Sequence, residues 1–177
     1  YEQTNNLRGN WYYAEDDGVL SDFSMNFELD TECDIGFFVY SSDTNFSGAG
    51  GSVDLTDLTL EWSGLVSADA GDGLVNSGDI GIDIVAGNWY NLNVGWDCTS
   101  VTGMDYGWEG TWALGTIDGR MSDNSYDGYD AFDHVYNWAY ESGNYHQVVN
   151  TEAGCDSDCE YSDEIGAFDS TYEQTNN

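Results

Sequence analysis

Apolar residues recur at every second position along most of this chain, a period that admits strands and little else. In Asp22–Asp30, Phe23, Met25, Phe27 and Leu29 alternate with Ser24, Asn26 and Glu28. Ile80, Ile82 and Ile84 alternate with Gly81 and Asp83, and Tyr90, Leu92, Val94 and Trp96 with Asn91, Asn93 and Gly95. Trp108, Trp112 and Leu114 are expected to continue that pattern after a turn. Cys33–Tyr40 turns apolar on both faces, as a central strand does. In Val53–Trp62 the apolar set slips phase between Leu55 and Leu58, which predicts a bulge or a break. Arg8–Ala14, Phe132–Tyr140 and Tyr145–Thr151 read as further strands, and no stretch keeps helical spacing for three turns. About eight to ten short strands, each with one wet face, predict an all-β antiparallel β-sandwich of jelly-roll type.

Charge decides what such a sandwich can meet. The chain has 34 Asp or Glu against 2 Lys or Arg, a net charge of −32, with Arg8 and Arg120 as its cations. Phosphate contacts need cations to displace counterions, so nucleic acid is excluded as a partner, and an anionic membrane surface with it. So acidic a composition raises disorder, but 40% hydrophobic and 15% aromatic residues are far too many for a solvated tail. There is no proline to blunt edge strands. Outward Asp and Glu are therefore expected to guard them. A charge this large also implies surroundings rich in salt or divalent ions.

The 177 residues suit one domain, and no apolar run approaches the roughly 20 residues that span a bilayer. The start, Tyr1-Glu2-Gln3-Thr4, is unlike a signal peptide, so a mature product or a piece of a longer one is expected. The hexamer Tyr1-Glu2-Gln3-Thr4-Asn5-Asn6 recurs as Tyr172-Glu173-Gln174-Thr175-Asn176-Asn177. A cloning scar or reused linker would give the same repetition, but the hexamer resembles neither a tag nor a Gly/Ser linker. The better reading is a unit of 171 residues (172 minus 1) in a tandem array, or separate subunits that exchange terminal strands. The expected organisation is a repeat junction at 1–6, a sandwich at 7–154 and an acidic connector or terminal strand at 155–177.

Three segments carry a resemblance: Gly36-Phe37-Phe38-Val39-Tyr40-Ser41-Ser42, Ser77-Gly78-Asp79-Ile80-Gly81-Ile82, and Ala86-Gly87-Asn88-Trp89-Tyr90 running on to Val94-Gly95-Trp96. Together, over about Leu7 to Thr151, they resemble secreted bacterial β-sandwich repeat domains of large multidomain surface proteins. The resemblance implies an exported structural or adhesive module and transfers no catalytic residue.

Among candidate sites, Asp123-Asn124-Ser125-Tyr126-Asp127-Gly128-Tyr129-Asp130 has the alternating oxygens and turn glycine of the start of a calcium loop. Asp123, Ser125, Asp127 and the Tyr129 carbonyl would bind Ca²⁺. The twelfth position is His134 instead of Glu, so Asp130 or Asp133 must complete the site; an Asp-rich turn is the plainer alternative. Asp16-Asp17-Gly18 and Asp69-Ala70-Gly71-Asp72-Gly73 read as turns before metal sites. Cys33, Cys98, Cys155 and Cys159 allow three pairings, and their spacing fits no zinc motif. Cys33 begins one strand and Cys98 ends another, so Cys33–Cys98 with Cys155–Cys159 is favoured, in an oxidising, extracellular place. Asn45-Phe46-Ser47 is a formal glycosylation sequon. Trp89, Tyr126 and Tyr129 are candidates for glycan contact, while Tyr90, Trp96, Trp108 and Trp112 fall on the core face. His134 and His146 stand apart, and no catalytic motif is present, so no enzyme is expected. The expectation is a structural repeat of an extracellular fibre, stalk or adhesin whose partners are copies of itself. A carbohydrate-binding module is the alternative.

Overall fold

The computed structural model describes residues 6–45, 57–96, 98, 100–105, 111–123, 139–141 and 143–154. These form eleven strands: β1 (Asn6–Ala14), β2 (Gly18–Leu29), β3 (Cys33–Ser42), β4 (Thr59–Ala68), β5 (Gly71–Asn76), β6 (Ile82–Ile84), β7 (Trp89–Trp96), β8 (Val101–Gly103), β9 (Gly115–Asp123), β10 (Ala139–Glu141) and β11 (Gln147–Ala153). One sheet has six strands in the order β10-β9-β1-β7-β3-β4. The other is built on β2, with β11 and β8 along one side and β5 and β6 along the opposite one. All named pairings are antiparallel, and the two sheets face each other as a β-sandwich.

The alternation read from the sequence builds the core between them. Phe23, Met25, Phe27 and Leu29 of β2 meet Tyr90, Leu92, Val94 and Trp96 of β7 and Ile35, Phe37 and Val39 of β3. Phe23 meets Phe37 edge-on at 5.2 Å, and Phe27 meets Trp96 at 5.5 Å, the geometry ring quadrupoles favour. β4 carries a bulge, though not where the phase slip was expected: Val39 pairs with Trp62 but Tyr40 with Leu60, leaving Glu61 as the extra residue and setting Leu60 and Trp62 on opposite faces, while Leu55 lies outside the described residues. Ahead of β7, the Asn88 N–H donates to the Val85 carbonyl at 3.2 Å, closing a turn that needs the left-handed backbone of Gly87 (φ 89°).

Several expectations are corrected. Trp112 and Leu114 do reach the core, but from a turn after Thr111 and not from a strand. Of Ile80–Ile84 only Ile82–Ile84 is a strand; Ile80 and Gly81 still donate backbone bonds to Ser21 and Leu20. The Asp69–Gly73 stretch is a turn for two residues only, because β5 begins at Gly71. One wet face per strand also fails for the six-stranded sheet. Its outward residues Leu7, Trp11, Phe38 and Tyr40 are buried, and so are Asn91 and Asn93 beside them. The five-stranded sheet keeps a polar outer face. There Asp22 accepts from Asn76 at 2.7 Å and from Asn150 at 2.8 Å, a row of amides bridging three strands.

Candidate functional site

Both cations of the chain lie on the inward side of β1 and its neighbour β9. Arg120 is opposite Asn10, and Arg8 is two residues further along. Arg8 sits over the Trp96 ring at 5.9 Å and donates to the Leu7 carbonyl at 2.7 Å; Arg120 sits over the Tyr145 ring at 5.5 Å. Placed against aromatic faces, the guanidinium groups keep a favourable environment after losing water. Beside them runs a buried polar relay. Asn10 Oδ1 accepts from the Tyr145 N–H at 2.8 Å, and Asn10 Nδ2 donates to the Tyr145 carbonyl at 3.0 Å and to the Tyr12 hydroxyl at 3.1 Å. Tyr12 donates in turn to Gln147 Oε1 at 2.6 Å, and Gln147 Nε2 donates to the Leu92 carbonyl at 3.0 Å. Burial raises the Tyr12 pKa well above its ordinary value, only partly opposed by the bond from Asn10. The relay therefore joins β1 and β7 of one sheet to β11 of the other through neutral groups.

The disulfide expected between Cys33 and Cys98 is present, with Cα atoms 6.1 Å apart. Gly36 pairs with Gly95 across β3 and β7, and continuing that register sets residue 33 opposite residue 98. The bridge thus extends the ladder where its hydrogen bonds stop. Cys155 and Cys159 lie outside the described residues. So do the junction residues Tyr1–Thr4 and Tyr172–Thr175, and Ser125, Tyr126, Asp127, Tyr129, Asp130, Asp133 and His134 of the calcium loop. Asp123 is the last residue of β9. Among the described residues, no three His, Cys, Asp or Glu are grouped to hold a metal ion. Asp17 has a structural task, with Oδ1 accepting from the Ala86 N–H at 2.8 Å across the turn before β7. Asp16 and Asp17 border a cavity of about 460 Å³ with Leu114, Thr151 and Gly154.

Trp89 is half-buried on the outer side of β7. It stacks on Trp11 at 6.0 Å and 13°, and the Tyr13 ring lies 4.7 Å away. Tyr13, also half-exposed, completes this small aromatic surface. The sequence pattern did not single it out, although its β1 position facing Trp89 follows from the β1–β7 register.

The other distinctive surface is the side where β4 and β5 run. Each ends its sheet, so among the described residues no strand covers either outer edge. Three of the four large exposed hydrophobics among the described residues are here: Leu60 (42%), Leu65 (52%) and Leu74 (49%). Between the edges runs a cleft of about 280 Å³ lined by Phe27, Leu29, Val66, Ala68, Leu74 and Val75. Sequence reading missed it because the strand was expected to end at Trp62 and Asp69–Gly73, just before Leu74, was read as a turn.

No family model matches the chain, and neither a curated protein nor a solved structure matches it.

Proposed function

We propose that this chain is a structural repeat unit of an extracellular surface fibre, stalk or adhesin, joined end to end in tandem or by exchange of terminal strands. The observation that carries this reading is the identical hexamer at 1–6 and 172–177. The path of the chain supports it. β1 begins where Asn6 pairs with Trp96, whereas β11 ends with Ala153 opposite Gly18 and the Gly154 N–H bonded to the Asp17 carbonyl. Asp17 follows the far end of β1, so the described chain begins and leaves at opposite poles, separated by roughly 30 Å for nine residues of strand. The Cys33–Cys98 bridge suits an oxidising compartment, and calcium at Asp123–Asp133 would stiffen the acidic surface. Electron microscopy of the native material tests the reading: a filament with an axial period of one domain is expected, and isolated particles under every salt and calcium condition would refute it. Melting with and without EDTA tests the ion, an unchanged midpoint counting against it.

A carbohydrate-binding module is the second reading, favoured by the exposed parts of Tyr13 and Trp89, whose rings offer a stacking surface for a sugar. A glycan array decides it. A selective hit lost in Trp89→Ala supports recognition, and no hit leaves the structural role alone.

A further inference from the structure

We infer that the cleft between β4 and β5 binds a small organic cation with an apolar body, an aryl or alkyl ammonium. The cleft exists because side chains are missing from this end of the core. Phe27 and Leu29 of β2 face inward, and their partners on β5 are Gly73 and Gly71. Directly opposed residues of an antiparallel pair share a face, so both glycines stand on the inner side, where a filled sandwich has side chains. Their φ angles are 154° and 151°, a backbone that residues with a side chain rarely adopt. A Cβ at either would meet no atom within 4 Å beyond its chain neighbours. Across the gap, Val66 and Ala68 of β4 are paired with Ile35 and Cys33 and point inward. Val66 and Val75 face the core as well, yet both stay only half-buried. Interiors pack closely wherever side chains reach. Here the backbone itself keeps the space open.

Size and charge select the occupant. The volume of about 280 Å³ is larger than the roughly 150 Å³ cavity that takes up benzene, so it suits one ring with a short chain. Phe27, Leu29, Val66 and Val75 supply apolar wall, and Asp69 and Asp72, both exposed, line the cleft with them. Ser67 lines it too. Its hydroxyl donates to Glu32 Oε1 at 3.4 Å and it pairs with Asp34, which brings two further exposed carboxylates to the β4 side. Neither Arg8 nor Arg120 is in the lining. An anion would be repelled by these carboxylates and by the net charge of −32. A neutral apolar molecule would gain burial but nothing from the carboxylates. A cation with an apolar body uses both, its ring or chain against the aliphatic wall and its ammonium toward Asp69 and Asp72. The wall is also held in place, because Ala68 pairs with Cys33 of the disulfide.

Amide NMR of the isotope-labelled full chain at neutral pH tests this with four probes: phenylethylammonium, phenylethanol, phenylacetate and ethylammonium. The first has both ring and charge, and each of the others lacks the ring, lacks the charge or reverses it. Phenylethylammonium should saturate, with shifts centred on Val66, Ala68, Gly71, Gly73 and Val75, and should bind roughly tenfold or more tightly than each of the other three. Asp69→Asn combined with Asp72→Asn should bring its affinity to within about threefold of the alcohol's and leave the alcohol's own unchanged. Ala68→Leu, which extends a side chain into the cleft, should abolish the shifts from the ring-bearing probes. The amide spectrum shows directly whether each variant keeps its fold, and if Ala68→Leu does not, the Asn pair decides. Phenylethylammonium that does not saturate, or that shifts amides across the acidic surface and not at the cleft, overturns the inference. So does equal affinity for any other probe, or an affinity that the Asn pair leaves unmoved. None of these outcomes bears on the end-to-end junction.

Discussion

Tyr12 ties the two sheets together by polar contact as well as by packing, since its hydroxyl accepts from Asn10 and donates to Gln147 of β11. Tyr12→Phe leaves Gln147 Oε1 without that donor in a buried place, and should cost about 1–3 kcal/mol in chemical denaturation. The pH dependence has a definite sign. Burial raises the folded pKa of Tyr12 above its ordinary 10.0, so below pH 10 both states are protonated and its contribution is complete. Above pH 10 the unfolded chain loses the proton first, and stability falls toward the folded pKa by up to about 1.4 kcal/mol per pH unit. Tyr12→Phe should flatten that alkaline slope, and an equal slope in both proteins would show that Tyr12 is not the group responsible. Gly9 is fixed by space. A Cβ there would lie 2.5 Å from both Asn93 Cβ and the Leu92 carbonyl, so Gly9→Ala should destabilise by about 2 kcal/mol or more, read from the same denaturation curves.

β3 and β7 are joined twice, by a hydrogen-bonded ladder and by a disulfide closing 65 residues of sequence. Chain entropy assigns a loop of that length on the order of 4 kcal/mol. Reduction should therefore lower the melting midpoint by roughly 10 °C, and Cys33→Ser should behave as the reduced protein does. This bridge was legible because the strands were: the alternation in Tyr90–Trp96 and the doubly apolar Cys33–Tyr40 set the cysteines at strand ends. The bulge at Glu61 was not legible, because Leu58, Leu60 and Trp62 keep one alternating phase in the sequence. β5 was not, since Gly71, Asp72 and Gly73 have turn composition and it is their pairing with Leu29, Glu28 and Phe27 that makes them a strand. Nor was the open side of the sandwich. Alternation tells which face of a strand is buried, but which strands are last in their sheets is set by pairings distant in sequence. The inward relay was hidden as well, because Asn10 and Gln147 look like ordinary polar positions until the fold brings them together.

The molecule as a whole is an asymmetric sandwich, with buried residues on both faces of β1, β3 and β7 in its larger sheet and amides and carboxylates on the outer face of its smaller one. Charge of −32 on such a body should make stability depend on salt. Raising ionic strength from about 0.01 M to about 1 M shortens the Debye length from about 30 Å to about 3 Å, and the melting midpoint should climb by several degrees. A midpoint indifferent to salt would mean that the acidic groups repel one another little in the folded state. The placement of β1 has a consequence of another kind. It runs through the middle of its sheet, laddered to β7 on one side and β9 on the other. Its first residue is at one pole, and the described chain leaves at the opposite one. Tension applied between those ends acts along the strands, so β1 cannot be peeled away bond by bond. It has to slide past both neighbours at once, breaking two ladders together, while Cys33–Cys98 rivets β7 to β3 at the pole where the pull enters. Stretched in single file, such domains would yield by shear rather than by unzipping.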